Sequence, residues 1–126
     1  MKTFTLSIFG ASVLLAAIVI EAPVASAHSF PEQETPSAGQ QLSAPPSEVT
    51  ITFDAPIEKV FAKLEVIGAD GKPATIGSPE VGASALTLSV KVAALKPGDY
   101  TVKWGVVCID SHHTEGSYVF TVAGGG

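Results

Sequence analysis

The chain has no arginine, one cysteine and one methionine, and that methionine is its first residue. A single cysteine, Cys108, excludes an internal disulfide. Seven lysines stand against twelve carboxylates, for a formal net charge of −5. With no basic patch, nucleic acid is excluded as a partner. Charged residues make up only 15% and hydrophobic residues 46%, which is too apolar a balance for disorder. Beyond residue 27 no apolar stretch approaches the ~20 residues that a spanning helix needs. Helix signals are also nearly absent from that region, which leaves β-structure.

The first 27 residues have the layout of a secretory signal peptide. Lys2 precedes an apolar run from Phe9 to Ile20, Pro23 breaks it, and Ala25-Ser26-Ala27 forms an A-x-A cleavage pattern. At about 12 residues the run is too short to cross a bilayer. Cleavage after Ala27 makes His28 the first residue of an exported, non-membrane-spanning chain. A cut after Ala25 would make it the third. Losing Lys2 and Glu21 with the leader leaves the net charge at −5. Residues 28–123 form one small domain, and 124–126 a flexible glycine tail. Without a disulfide, the core must hold this domain, alone or with a metal.

Strand signals recur at short intervals. Val49, Ile51 and Phe53 alternate with Thr50 and Thr52. The same period of two runs through Leu64 and Val66, through Leu86, Leu88 and Val90, and through Tyr100, Val102, Trp104 and Val106. It ends with Tyr118, Phe120 and Val122. Each set faces one side of a sheet. Asp70-Gly71 reads as a hairpin turn and Lys96-Pro97-Gly98 as a type II turn. Six or seven such strands predict an all-β, Ig-like antiparallel Greek-key sandwich or barrel with Trp104 at its centre.

The chain has three histidines: His28, His112 and His113. After cleavage, His28 offers a free amine and a ring nitrogen that chelate one metal ion. Asp110 and His112 have alternate-residue spacing, so in an extended segment both face one way. Three nitrogens and one oxygen suit Cu(II), one ion per mature chain. Asp110 has a second reading, as the cap of a turn. His113 falls on the opposite side and reads as solvent-exposed. Glu32, Glu34 and Glu115 read as solvated charges. Cys108 shares parity with Trp104 and Val106, which predicts burial; a thiol close to the metal is the open alternative.

With these residues in place, the chain resembles the CopC family of periplasmic copper-resistance proteins. The likeness rests on His28 after the cleavage pattern, Thr35-Pro36-Ser37-Ala38-Gly39, and Thr52-Phe53-Asp54. It continues through Leu95-Lys96-Pro97-Gly98-Asp99-Tyr100-Thr101-Val102-Lys103-Trp104 and Cys108-Ile109-Asp110-Ser111-His112, then Gly116, Phe120 and Val122. The resemblance implies a seven-stranded Ig-like barrel holding Cu(II) on His28, Asp110 and His112. It also implies a periplasmic carrier, not an enzyme, that sequesters copper or delivers it to an inner-membrane partner of the CopD type. Three features depart from the family pattern. Cys108 stands where the family has serine, and His113 stands where proline is common. No methionine remains after cleavage, so the Met-rich Cu(I) site of some members cannot form. Two other functions fit parts of the pattern: a copper-brace polysaccharide monooxygenase, which shares the terminal histidine, and a metal-free interaction module.

Overall fold

The computed structural model describes residues 29–124, together with Thr3 and Ile18. Apart from those two residues the expected leader lies outside the described residues, and so do His28, Gly125 and Gly126. Eight strands and no helix are present among the described residues. They are β1 (Pro31–Thr35), β2 (Gln41–Leu42), β3 (Glu48–Phe53), β4 (Lys63–Gly68), β5 (Thr75–Val81), β6 (Thr87–Val92), β7 (Gly98–Val107) and β8 (His113–Val122).

The strands form two four-stranded sheets, ordered β1-β3-β6-β5 and β2-β8-β7-β4. The expected all-β sandwich is therefore present, but the barrel is not. Each sheet keeps two edges of its own, so the structure does not close. Pairing is antiparallel except at β2, where Gln41 and Leu42 run parallel to Thr121 and Val122.

Period-two alternation explains the core. Val49, Ile51 and Phe53 of β3 and Leu88, Val90 and Val92 of β6 face inward from one sheet. Leu64 and Val66 of β4, Val102 and Val106 of β7, and Phe120 and Val122 of β8 face them from the other. Each such side chain contributes roughly 1.5–3 kcal/mol relative to exposure. Phe53 and Phe120 are almost fully buried, whereas Trp104 keeps 9% of its surface. Trp104 thus belongs to the core without being its centre, and meets Phe53 edge to face at 5.4 Å between ring centroids.

Asp70-Gly71 makes a tight turn closed by an Ile67–Pro73 bridge, but not the expected strand hairpin, because β4 and β5 lie in different sheets. Gly71 takes a φ of 77°, its N–H donates to the Gly68 carbonyl, and Asp70 Oδ1 accepts the Lys72 N–H. The Lys96–Gly98 corner differs from a type II turn. Gly98 has a φ of 148°, well away from the value near +80° that such a turn requires. The corner is closed by Tyr100, whose hydroxyl donates to the Lys96 carbonyl at 2.7 Å, a tyrosine corner.

Glu34 is not the fully solvated charge its sequence context suggests. It is partly buried in β1, and desolvation raises its carboxyl above the ordinary value, offset in part by the Ala38 N–H. Burial, reinforced by the Glu34 charge, also pushes the Tyr118 phenol up. The Tyr118 hydroxyl is buried without a hydrogen-bond partner among the described residues.

Candidate metal site

The site is built at the end of the β7–β8 hairpin. β7 stops at Val107, and Cys108 forms an isolated bridge with Ile57. The chain then reverses. Ser111 N–H donates to the Cys108 carbonyl at 2.9 Å, and Cys108 N–H donates to the His112 carbonyl at 2.8 Å. Ser111 takes a φ of 75°, an uncommon conformation for a residue with a Cβ.

This turn brings Asp110 and His112 together. Both carboxylate oxygens of Asp110 serve His112. Oδ1 accepts its backbone N–H at 3.1 Å, and Oδ2 lies 2.9 Å from its ring Nδ1. The first contact caps the turn and the second fixes the ring. The two residues therefore meet because the chain turns, not because an extended strand alternates. An ionised carboxylate can only accept, so Nδ1 carries the proton. That leaves Nε2 as the His112 ring nitrogen with a lone pair to offer a metal, in the arrangement of carboxylate and imidazole that histidine ligands commonly have.

His113 begins β8 opposite Val107. Its Nε2 lies over Gly105, 3.4 Å from where a Cβ on that glycine would stand. Thr114, the next residue, turns the other way and is buried. Cys108 is 1% exposed, on the inward parity of Trp104 and Val106.

The N-terminal end of the described chain arrives at this same turn. Ser29 has no exposed surface, and its N–H donates to Cys108 Sγ at 2.8 Å. Its carbonyl accepts the Thr114 hydroxyl at 2.8 Å. His28, the residue before it, lies outside the described residues. Among the described residues, no three His, Cys, Asp or Glu side chains cluster as metal ligands. Asp110 and His112 form a pair that needs further donors.

Sequence reasoning missed Ser29 and Thr114. Ser29 carries no local signal. Thr114 does carry one, because it shares the inward parity of Gly116, Tyr118 and Phe120 and is a polar residue at a core position.

Fold and site together define a class: a two-sheet, Ig-like sandwich presenting a carboxylate–imidazole pair on a turn that also holds the buried Ser29. Residues 31–123 match the CopC domain, and the chain belongs to the CopC family. Protein YobA of Escherichia coli K12 is 33% identical over 102 residues, covering 79% of this chain and 82% of that protein. Copper transport protein CutJ of Bacillus subtilis is 26% identical over 87% of this chain, which corresponds to 21% of CutJ. The crystal structure of CopC from Methylosinus trichosporium OB3b superposes with a TM-score of 0.72 at 30% identity, covering 77% of this chain and 95% of that one.

Proposed function

We propose that the protein is an exported Cu(II)-binding protein that sequesters or delivers copper in the periplasm. Copper is its cargo, one ion per mature chain. His28 supplies its amine and ring nitrogen, and His112 supplies Nε2. Asp110 would hold the His112 ring in place through Nδ1.

The observation that carries this reading is the Asp110–His112 pair, 2.9 Å apart on a turn whose Cys108 bonds both Ser29 and His112. A histidine ring held in one orientation by a carboxylate is prepared for a metal without further ordering. The donor set is nitrogen-rich and otherwise hard, which suits Cu(II) over Cu(I). Membership of the CopC family and the likeness to a copper transport protein point to the same ion. The A-x-A pattern before His28 supports export. No helix among the described residues is long and apolar enough to cross a membrane. Transfer to a membrane transporter of the CopD type completes the reading. The buried thiol and the absence of methionine after cleavage leave no soft donor set for Cu(I). The protein is a carrier in this reading, not an enzyme.

The test combines the N-terminal mass of exported protein with a Cu(II) titration followed by electron paramagnetic resonance. The expected result is a chain starting at His28 that binds one type 2 copper with nitrogen hyperfine structure. One residue added ahead of His28 removes the chelate and should lower affinity at least ~10-fold. Unchanged affinity and spectrum in that extended protein, or an intense thiolate-to-copper band, would overturn the assignment.

A further inference from the structure

Gly105 is buried on the outer face of β7, where solvent exposure is the rule. Val102, Trp104 and Val106 point into the core, so Lys103, Gly105 and Val107 point outward. Lys103 is exposed on that face, but Gly105 is covered. A Cβ built on Gly105 would stand 3.4 Å from His113 Nε2 and 4.0 Å from Glu115 Cβ. Glu115 is the direct cross-strand partner of Gly105, and His113 occupies the neighbouring outward position of β8. The side chain that Gly105 lacks leaves a hollow, and one imidazole and the stem of one carboxylate border it.

The two donors suit a common ion. A glutamate carboxylate lies two carbons beyond its Cβ, so its oxygens can swing to a metal held about 2.0 Å from the imidazole nitrogen. Among the described residues, neither the His113 ring nor the Glu115 carboxylate is engaged by a hydrogen bond or an ion pair. Both residues are exposed, so water can complete the coordination. No third His, Cys, Asp or Glu side chain among the described residues joins them. Lys63, the β4 neighbour of Gly105, adds a positive charge on the same face. Two protein donors beside a lysine make a weak site, but one in which the second donor binds intramolecularly and so outdoes a lone surface histidine.

We infer that His113 Nε2 and the Glu115 carboxylate form a second, weaker Cu(II) site on the outer face of the β7–β8 hairpin. One imidazole and one carboxylate favour Cu(II) over Zn(II) at equal geometry. The site shares no residue with the Asp110–His112 pair and stands independently of the function proposed above. It takes an ion beyond the cargo ion, when copper is in excess over protein.

The test titrates the full mature protein with Cu(II) salt well past one equivalent, by calorimetry and electron paramagnetic resonance. Zn(II), which is diamagnetic, serves as the probe for nitrogen-15 spectra of the histidine rings. Wild type should take up a second, weaker ion, and the His113 Nε2 signal should shift as Zn(II) is added. His113→Ala should abolish the second ion, and Glu115→Gln should weaken it at least ~10-fold. Both variants should leave the first ion unchanged, and His112→Ala should leave the second. Circular dichroism confirms folding of each. Absence of a second ion in wild type, or its survival in His113→Ala, would overturn the site. Loss in His113→Ala with no change in Glu115→Gln would show a lone imidazole binding adventitiously and would overturn the chelate. A wild type that binds only the ion lost in His113→Ala would uphold this site and refute the reading of His112 instead.

Discussion

Gly116 lies flat against the indole of Trp104, its direct partner across the β7–β8 ladder. A Cβ built on Gly116 would stand 2.7 Å from Trp104 Cζ2 and 2.9 Å from Cε2. The indole cannot simply retreat, because Phe53 packs edge-on against it. Gly116→Ala should therefore overpack this end of the core and cost about 1–3 kcal/mol in chemical denaturation. Gly105→Ala is the control. Its new methyl would meet the movable end of His113 and, at an ordinary 4.0 Å, Glu115 Cβ, so its cost should stay within about 0.5 kcal/mol. Equal losses in both variants would show that the indole does not fill the space above Gly116.

His112→Ala should lower Cu(II) affinity at least ~10-fold, whereas His113→Ala should change it far less. The contrast follows from the chain direction at the turn, which places His113 over Gly105 and joins His112 to Asp110. Competition against a Cu(II) chelator would measure both. Comparable losses would mean that His113 is a ligand.

Asp110→Asn should weaken Cu(II) by about 10–100-fold without unfolding the protein. The amide keeps one acceptor but removes the charge that holds the His112 ring. The same titration reads this, with circular dichroism as the check on folding. An unaltered affinity would deny Asp110 the role of orienting His112.

Tyr118→Phe should leave stability unchanged or raise it by up to ~1 kcal/mol, because it deletes a buried hydroxyl that lacks a partner. Urea denaturation of the two proteins would measure this directly. A loss above ~1 kcal/mol would reveal a bound water or other partner on that oxygen.

Glu34 should make stability depend on pH in the sense opposite to a salt-bridged carboxylate. Its carboxyl is raised, mainly by burial, so the folded protein holds this proton more tightly than the unfolded chain. Stability from this group is then greatest at low pH and falls as pH rises from the ordinary glutamate range through the raised value. Glu34→Gln should be more stable than wild type at pH 7, by up to about 0.5 kcal/mol. The advantage should vanish below about pH 4, where both chains are neutral at this position. Melting curves across pH would show it, and an advantage that grew on acidification would reverse the sign of the argument.

The five apolar alternations visible in the sequence became β3, β4, β6, β7 and β8. Burial on one face imposes period two on residue choice, so strands with a core face announce themselves. The three strands without such a signal, β1, β2 and β5, are all edges. β1 reads Pro-Glu-Gln-Glu-Thr and is held by its ladder to β3 rather than by apolar side chains. β5 contains Gly77 and Pro79, and its register with β6 is broken between Ile76 and Glu80. Proline and glycine are tolerated there because an edge needs hydrogen bonds on one side only.

The residue types of the candidate site were legible because imidazole and carboxylate are the nitrogen and oxygen metal donors this chain offers. Their arrangement was not. Asp110 reaches His112 through a turn with Ser111 at positive φ, whereas the sequence spacing suggested an extended strand. Ser29 is joined to Cys108 and Thr114 across 79 and 85 positions. Hydrogen bonds over such distances impose no local period, so only the closing of the two sheets on each other decided which residues meet Ser29.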